Sequence, residues 1–401
     1  MQRFDVVVVG GGPAGAVTAR IAAEAGAVVL LLERRTRIEE PSACAGLISP
    51  RTLSVLGVSD ACVVRRPRDV SFHAPSGAVL SVRTTTDRAL VVDRSILESE
   101  LLARARDVGV DVRLGATATG WRDGVVRFEG AASEETAVGA VLVGADGPES
   151  QVAAWAGLPN AGSLRALQVE AESADPEPDG VCVYVGHLIA PEFFAWSIPA
   201  QAGCTRIGLA VSDLIDPAPY LDSLLAQRFP NHRIVSRIEA RIPIPSPRRT
   251  TADGVLLVGD AAGHVKPLSG GGIYFGGLCA RVAGRAAARA AKEPHDQTEH
   301  LLYYEDACRA LIGPETRFGA TARSIRDALD DDDWSRIFAI LNHRDLLALV
   351  AERIDLDHLR HMVPHLLSRP RLWRPLFALW DIVRVRTREP GGIAVPHDEF
   401  L

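Results

Sequence analysis

A glycine-rich turn near the N-terminus is the first feature of this sequence that could do chemistry. Val6 to Val9 form an all-apolar run typical of a strand buried on both faces, and Gly10-x-Gly12-x-x-Gly15 leads from it into an alanine-rich helix. Gly10 permits a tight turn, Gly12 lets the backbone approach phosphates, and Gly15 lets helix and strand pack closely. The helix N-terminus offers unpaired N–H groups. The pattern therefore predicts a site for the pyrophosphate of a dinucleotide.

An acidic residue follows at the spacing that such a site needs. The second apolar strand, Val28 to Leu32, ends at Glu33, where a carboxylate can bind ribose hydroxyls. Glu33 indicates an adenosine without a 2'-phosphate, and it does not separate NAD from FAD.

Two later strands distinguish FAD from NAD. "AVLVGADGPES" ends in Asp146 and Gly147, and "GVLLVGDAAGHVKPLSGGG" ends in Gly259 and Asp260. With the N-terminal turn they resemble the three fingerprints of the large FAD family that includes aromatic hydroxylases, flavin-dependent halogenases and geranylgeranyl reductases. The resemblance implies that Asp260 faces the ribityl and pyrophosphate groups. It also implies that a helix starting after the second glycine run stabilises negative charge on the reduced flavin.

The resemblance also assigns residues to the cofactor. Arg94 opens an amphipathic helix and matches the family arginine that lies along the flavin; a solvated arginine at a helix start is the alternative. The cofactor-binding residues implied are Gly10, Gly12, Ala14, Gly15, Glu33, Arg34, Cys44, Ala45, Gly46, Arg94, Asp146, Gly147, Gly259, Asp260, Pro267, Gly270, Gly271, Gly272 and Ile273. His264 and Lys266, inside the last motif, are expected to be solvated, with guidance of a pyrophosphate-tailed substrate as the alternative. No metal site is expected, because the six cysteines lack metal-ligand spacing and are interpreted as free thiols.

The positions of the motifs predict the domain organisation. We expect an α/β fold with a Rossmann-like FAD-binding domain assembled from residues 1–60, 90–160 and 250–295. Alternating strands such as "GVCVYVGHL" and "CTRIGLAV" indicate an antiparallel β-sheet substrate domain in residues 61–89 and 161–249. A helical C-terminal region, residues 296–401, follows from helical periodicity in Leu301–Ile312, Trp334–Leu341, Leu346–Ile354 and Leu372–Val383.

Composition limits the partners and the location. The net charge of −6, from 44 basic and 50 acidic residues, argues against nucleic acid. No stretch is apolar enough to span a bilayer and no signal peptide is recognised, so a cytoplasmic protein is expected. The stretch "SRPRLWRPLFALWDIVRVRTR" combines aromatic and aliphatic residues with arginines. It could lie in a membrane interface, which would place the protein peripherally at the inner face of the membrane, or pack onto its own domain.

Two stretches indicate the branch of the FAD family. "PSACAGLISPRTLSVLG" is similar to the Cys-Gly-Gly-x-Ile/Leu-Ser/Thr-Pro-Arg stretch of geranylgeranyl reductases, and "PEFFAWSIPA" resembles their Tyr-x-Trp-x-Phe-Pro motif. Phe194 replaces the family tyrosine and Ile198 the phenylalanine. Ile198-Pro199 also resembles the Trp-x-Trp-x-Ile-Pro signature of halogenases, whose first tryptophan is absent here.

The resemblance implies an FAD-dependent reductase that hydrogenates the carbon–carbon double bonds of a geranylgeranyl or polyprenyl lipid or quinone. A flavin monooxygenase or halogenase of an aromatic substrate and a non-catalytic redox flavoprotein are the alternatives. The sequence contains a single dinucleotide fingerprint, so either NAD(P)H, bound transiently, or a ferredoxin would supply electrons. The oligomeric state stays open.

The catalytic candidates follow from the chemistry of alkene reduction. A hydride reaches one alkene carbon and a proton must reach the other, so positive charge builds on an isolated alkene. Trp196 is the candidate for shaping the site and stabilising that charge through its ring face, with a buried strand tryptophan as the alternative. Phe194 lacks the hydroxyl of the family tyrosine. Cys44, expected as a neutral thiol because no histidine neighbours it in sequence, is the remaining proton donor of the motif, with a buried inert thiol as its alternative.

Overall fold

The computed structural model describes residues 1–38, 44–130, 133–173, 180–201, 203–244 and 249–388. In chain order the strands are β1 (Gln2–Val9), β2 (Val29–Glu33), β3 (Leu47–Ile48), β4 (Val63–Arg65), β5 (Asp69–His73), β6 (Val79–Arg83), β7 (Leu90–Val92), β8 (Asp111–Leu114), β9 (Thr117–Arg122), β10 (Val125–Glu129), β11 (Glu134–Gly144), β12 (Ser163–Ser173), β13 (Val181–Tyr184), β14 (Ala195–Pro199), β15 (Cys204–Ser212), β16 (His232–Pro243), β17 (Thr251–Ala252) and β18 (Val255–Leu257). The helices are α1 (Pro13–Glu24), α2 (Pro50–Leu56), α3 (Arg94–Asp107), α4 (Gln151–Trp155), α5 (Ala218–Arg228), α6 (Ile273–Lys292), α7 (Gln297–Ala328), α8 (Asp331–Leu341), α9 (Arg344–Arg353), α10 (Met362–Leu367) and α11 (Trp373–Arg388).

The first sheet has the order β17-β18-β11-β1-β2-β8, and β10 and β9 extend it from β11. β1 lies between β2 and β11 and pairs parallel with both. Its apolar run is continuous because both faces are covered: Val6 and Val8 pack toward α1 and α6, and Val7 and Val9 toward α4 and the β9–β10 hairpin. The strand order reverses direction around β1, so the turn that follows β1 lies where α/β sheets bind nucleotides.

The second sheet has the order β16-β12-β15-β14-β13-β5-β6 and is antiparallel except between β13 and β5. α5 covers one of its faces through leucines that include Leu221 and Leu225. On the other face, Trp196 and Ile198 belong to a cluster that also contains Leu47 of β3. Because side chains alternate along a strand, β14 presents these two residues toward the small sheet β3-β7-β4, which leads into the first sheet.

The C-terminal region is helical, as predicted. α7 has 32 residues and is much longer than the predicted Leu301–Ile312, with Pro314 inside it. α8 begins with a capping box formed by Asp330 and Asp333, and its Phe338 packs against the edge of the second sheet. No helix in the described part of the chain is long and apolar enough to cross a membrane. The structure thus confirms the α/β class, the antiparallel sheet and the helical C-terminus.

Candidate functional site

The turn after β1 combines two glycines that the fold requires with one that it does not. Gly10 has a φ of +105°, and a Cβ there would lie 2.2 Å from the carbonyl oxygen of Ala145. A Cβ at Gly15 would lie 1.9 Å from the carbonyl oxygen of Gly10. A Cβ at Gly12, in contrast, would meet no described atom within 4 Å. Gly12 is also the N-cap of α1 and makes no side-chain capping bond, so the helix end faces open space.

Glu33 lies at the end of β2, beside this turn. Its Oε2 accepts a hydrogen bond from Gly11 N at 2.7 Å, and its Oε1 accepts from the Arg35 backbone N at 2.9 Å and from Arg35 Nε at 3.0 Å. Burial raises the pKa of Glu33, and the hydrogen bonds and charge of Arg35 outweigh it, so the pKa lies below its ordinary value. Sequence reasoning named Arg34, which is exposed, whereas Arg35 forms the ion pair and reaches Glu98 at 2.8 Å as well.

Arg94 brings three distant segments together. It forms an ion pair with Glu98 one turn along α3, and its side chain is 13 % exposed, which excludes the alternative of a solvated arginine. Its guanidinium interacts with the Cys44 thiol. Burial raises the pKa of Asp260, and the positive charge of Arg94 opposes that rise. Arg94 Nε is buried without a hydrogen-bond partner among the described residues, so a strong donor is left for a ligand.

The Gly259-Asp260 turn connects β18 to the start of α6. Gly259 has a φ of +67°, and a Cβ there would lie 2.7 Å from Ala14 Cβ, so the turn packs directly on α1. A Cβ at Gly272 would lie 2.6 Å from Asp260 Oδ1, which places Asp260 against the first residue of the helix cap. Gly272 is the N-cap of α6 and has no side chain that could cap the helix N-terminus.

The remaining residues of the later motifs have different surroundings. Gly270 has a φ of +70°, and Gly271 lies next to the Lys266 side chain. Pro267 packs against Gly319 of α7, and Ile273 is partly buried in the cluster around α1 and α6.

Asp146 shapes the turn after β11. Its Oδ1 accepts from Ser150 Oγ at 2.6 Å, and its Oδ2 accepts from Gln151 N at 2.7 Å, so the carboxylate caps α4. Gly147 beside it has a φ of +94°, and a Cβ there would meet no described atom within 4 Å. The turn therefore presents backbone at Gly147 to open space.

The loop that carries Cys44 is fixed by an arginine of the second sheet. Arg206 on β15 is buried; its Nη1 donates to the carbonyl oxygens of Ala45 and Val92, both at 3.1 Å, and its Nε donates to Glu170 at 2.9 Å. Gly46 has a φ of +73°, and a Cβ there would lie 2.4 Å from Arg206 Nη1. Sequence reasoning missed Arg206, although a charged residue in the apolar run of β15 is a signal for it. Residues 39–43, before Cys44, lie outside the described residues.

An aromatic segment, Phe193 to Trp196, precedes and enters β14, and it packs on the face of the second sheet that meets the Cys44 loop. Trp196 is buried, its Nε1 donates to Gln168 Oε1 at 3.1 Å, and its ring occupies the space that a Cβ at Gly208 would fill. Phe194 stacks on Phe193 with ring centroids 4.2 Å apart and meets Trp196 edge-on at 6.1 Å. A Cβ at Gly270 would lie 3.3 Å from Phe193 Cζ, so the aromatic segment reaches the loop before α6.

Lys266 and His264 are not solvated, contrary to expectation. Lys266 Nζ donates to Asp357 Oδ1 at 3.0 Å and to the carbonyl oxygen of Leu356 at 2.8 Å. Asp357 also accepts a hydrogen bond from Ser49, so the segment after α9 ties the last motif to the loop of Cys44. The sequence could not show this partner because Asp357 lies 91 residues from Lys266.

His264 is buried behind the turn, and its Nδ1 accepts a hydrogen bond from Gly259 N at 3.3 Å. Burial lowers its pKa to about 4. Potential ligand atoms of His264, Cys279 and Cys308 lie within 4.8 Å of one another. Burial and the neighbouring Cys308 raise the pKa of Cys279 well above its ordinary value, which favours the protonated thiol that metals do not bind. All six cysteines are free thiols, as the sequence predicted.

Comparisons with known proteins identify the family. The sequence profile of the FAD binding domain matches residues 3–198. Digeranylgeranylglycerophospholipid reductase 2 of Methanothermobacter thermautotrophicus is 32 % identical over 367 residues, which cover 87 % of this chain and 94 % of that protein. The corresponding protein of Methanopyrus kandleri is 31 % identical over 374 residues, covering 87 % of this chain and 93 % of its own. The chain belongs to the geranylgeranyl reductase family of FAD-dependent oxidoreductases.

Solved structures show that the fold is shared within and beyond this reductase family. A geranylgeranyl bacteriochlorophyll reductase-like protein of Thermoplasma acidophilum superposes with a TM-score of 0.77 at 23 % identity, covering 95 % of this chain and all of that one. A myxobacterial chondrochloren halogenase superposes with a TM-score of 0.66 at 20 % identity, covering 96 % and 97 %. The fold therefore does not separate reductase from halogenase, whereas the sequence relatives do.

The residues of this reductase fit FAD, which is its cofactor. Open space lies over Gly12 and Gly147, and the N-termini of α1 and α6 lack side-chain caps. Arg94 Nε is a buried donor without a described partner. Backbone N–H groups at helix N-termini and a buried cation are what a pyrophosphate and a flavin that becomes anionic require.

Proposed function

We propose that this protein hydrogenates isoprenoid carbon–carbon double bonds of a geranylgeranyl or polyprenyl lipid or quinone. The observation that carries the proposal is that Cys44, Arg94 and Asp260, from three separate motifs, come together in the fold. Asp260 also lies close to the loop before α6, and Gly270 of that loop contacts Phe193 of the aromatic segment. The names of the relatives support a digeranylgeranyl lipid as the substrate class.

The chain supplies three things to this reaction. Bound FAD, once reduced, supplies a hydride to one alkene carbon. The thiol of Cys44 donates the proton that the other carbon needs, which completes the addition of two hydrogens across the double bond. Arg94 and the N-terminus of α6 stabilise negative charge at the cofactor, and Arg206 fixes the loop that carries the thiol.

The substrate side is apolar because a prenyl chain offers no polar groups. Trp196 and Ile198 lie in a buried cluster with Ala45 and Leu47, so the sheet and the thiol loop share one apolar surface. Such a surface binds a prenyl chain through buried area. The Trp196 ring also stabilises developing positive charge, by about 1–2 kcal/mol when water is excluded.

The electron donor and the location are part of the proposal. We expect transient NAD(P)H or a ferredoxin as reductant, since the sequence carries one dinucleotide fingerprint and β1 with α1 already form it. Six free thiols suit the reducing cytoplasm, where the inner membrane face offers the lipid.

Single-turnover experiments under anaerobic conditions test the proposed reaction. Reduced holoenzyme is mixed with a digeranylgeranyl lipid, the flavin absorbance is followed, and the mass of the product is determined by mass spectrometry. Lipid-dependent reoxidation with two hydrogens added per double bond supports the reductase. Oxygen- or halide-dependent turnover of an aromatic compound, with oxygen or halogen in the product, would establish the monooxygenase or halogenase instead. Oxidation and reduction of the flavin without any organic product would support the non-catalytic redox flavoprotein instead.

A tryptophan variant tests the substrate side within the same assay. Trp196→Ala should slow lipid-dependent reoxidation more than reduction of the flavin, because the ring belongs to the apolar cluster of the proposed substrate side. Trp121→Ala is the matched control, since Trp121 packs on the far face of the first sheet. Equal losses in both half-reactions would mean that Trp196 supports the fold alone.

A further inference from the structure

An aromatic stripe on α11 faces solvent. Trp373, Phe377 and Trp380 are 48 %, 66 % and 61 % exposed, and their spacing places them on one face of the helix. Leu376, one turn before Trp380 at the edge of the stripe, packs with Leu372 against the cluster of α9. Trp373 Nε1 donates to the carbonyl oxygen of Leu367 at 2.9 Å, which fixes one ring at the start of the helix. The folded chain therefore covers one edge of α11 and leaves large parts of the three rings in solvent.

Arginines flank the stripe and give it a charge opposite to that of the whole chain. Residues 369–388 contain Asp381 as their only acidic residue, and the chain as a whole has a net charge of −6. Arg371 and Arg374 are exposed and form no ion pair with a residue in the described ranges. Arg386 is bound by Asp330 and Asp333 of α8, which fixes the helix to the protein body. The basic residues in this segment are Arg369, Arg371, Arg374, Arg384, Arg386 and Arg388.

We propose that this face of α11 docks the protein on the surface of an anionic phospholipid membrane. Tryptophan and phenylalanine rings are stable at the level of lipid headgroups, where one part of a side chain is apolar and another meets water. Arginines beside them are attracted to anionic headgroups by about 1 kcal/mol each. Arg374 lies beside the stripe in α11 and Arg371 lies in the turn just before it, and this combination of rings and cations fits a lipid surface better than an acidic protein.

The docking surface has a consequence for catalysis that rests on the proposed function. A prenyl lipid stays in the bilayer, so an enzyme bound at the surface meets its substrate there. The docking itself does not depend on which alkene is reduced, and it is tested without turnover.

Vesicle cosedimentation of the full-length holoenzyme tests the surface. With phosphatidylcholine vesicles that contain about a third phosphatidylglycerol, wild type should sediment, and about 0.5 M NaCl should weaken binding by screening the charges. Replacing the stripe in Trp373→Ser/Phe377→Ser/Trp380→Ser should lower the partition coefficient about tenfold or more. Arg371→Gln/Arg374→Gln should lower it about tenfold on anionic vesicles only. Tyr303→Ser is the matched control, because Tyr303 is an equally exposed aromatic residue on α7.

Each outcome decides the proposal. Unchanged FAD content and circular dichroism show that the variants fold, so a loss of binding then belongs to the stripe. Equal sedimentation of wild type and the stripe variant would overturn the proposal, as would equal binding to neutral and anionic vesicles. A dimer in size-exclusion chromatography that the stripe variant abolishes would assign the surface to a second copy of the chain instead. If docking succeeds and no alkene is reduced, only the proposed function fails.

Discussion

The cofactor side and the substrate side of this site are built from different parts of the chain. On the cofactor side, backbone at Gly12 and Gly147 faces open space, and other glycines allow the elements to approach closely. On the substrate side, buried side chains such as Trp196 and Arg206 form the surface and fix it through partners on other strands. A backbone cradle depends on short motifs, whereas a side-chain surface depends on residues that meet only after folding.

The largest expected effect separates two glycines of one motif. Gly10→Ala should prevent the native turn. Alanine is strained at the Gly10 φ of +105°, and its Cβ would lie 2.2 Å from the carbonyl oxygen of Ala145. We expect a loss of about 3 kcal/mol or more in unfolding free energy. Gly12→Ala should leave the unfolding free energy within about 1 kcal/mol, since its Cβ meets no described atom, while weakening FAD binding.

Chemical denaturation of the cofactor-free proteins and FAD titration measure both quantities. Equal destabilisation by the two variants would contradict the distinction between a glycine that the fold needs and one that the ligand needs.

Cys44 is the side chain whose loss should cost the most in rate. Cys44→Ala should leave FAD content and flavin reduction near wild type while lipid-dependent reoxidation falls about 10²-fold, the effect of a lost general acid. Stopped-flow spectroscopy of the reduced enzyme measures it. Cys204→Ala, a partly buried thiol on β15, is the control. A Cys44→Ala rate within a few-fold of wild type would leave ordered water as the proton donor.

Arg206 tests whether the substrate side depends on long-range anchoring. Arg206→Met leaves the carbonyls of Ala45 and Val92 without their donor, so we expect a loss of about 2–4 kcal/mol in unfolding free energy and slower lipid-dependent reoxidation. Arg233→Met removes a similar Arg–Glu pair, but its side chain is 71 % exposed against 10 % for Arg206, so it should cost less than about 1 kcal/mol.

A conservative variant separates positioning from stability. Arg206→Lys keeps the charge and one donor, so it should restore more of the unfolding free energy than of the reoxidation rate, because lysine cannot bond both carbonyls and Glu170 in one geometry. Full recovery of both by lysine would mean that Arg206 acts through its charge alone.

The same contrast explains what could be predicted from the sequence. The buried strand β1, the turn at Gly10 to Gly15 and the acid at Glu33 follow from local pattern, and the structure has each at the predicted place. Arg94 carried two interpretations, and burial beside Glu98 excludes the solvated one. Local sequence contains these features because each is formed by residues within one strand–turn–helix unit.

Partners that come from elsewhere in the chain could not be predicted. Arg35 rather than Arg34 pairs with Glu33, which depends on the direction of each side chain after the strand ends. Lys266 is paired because Asp357 arrives from the C-terminal region, 91 residues further along the chain. Cys44 has no histidine nearby in sequence, yet Arg94 contacts it through folding. The assignment of Cys44 and Trp196 to catalysis stays a prediction.

The smallest expected effect concerns His264, a buried side chain on the cofactor side, where the site otherwise depends on backbone. Burial lowers its pKa to about 4, below the ordinary value near 6.5 that the unfolded chain has. Between these values the unfolded state binds a proton that the folded state does not, so unfolding free energy is lost as the pH falls through this window. From pH 7 to pH 5 the loss from this one group is about 2 kcal/mol.

Burial also lowers the pKa values of His73 and His358, and these two groups add a loss of the same sign. The informative quantity is therefore the difference between wild type and a His264 variant. His264→Gln keeps an acceptor for Gly259 N and removes the titration, so its urea denaturation midpoint should fall less than that of wild type between pH 7 and pH 5. Parallel curves for the two proteins would mean that the folded state also protonates His264 in this window, in which case Nδ1 could not accept from Gly259 N and the turn would have to be held without that bond.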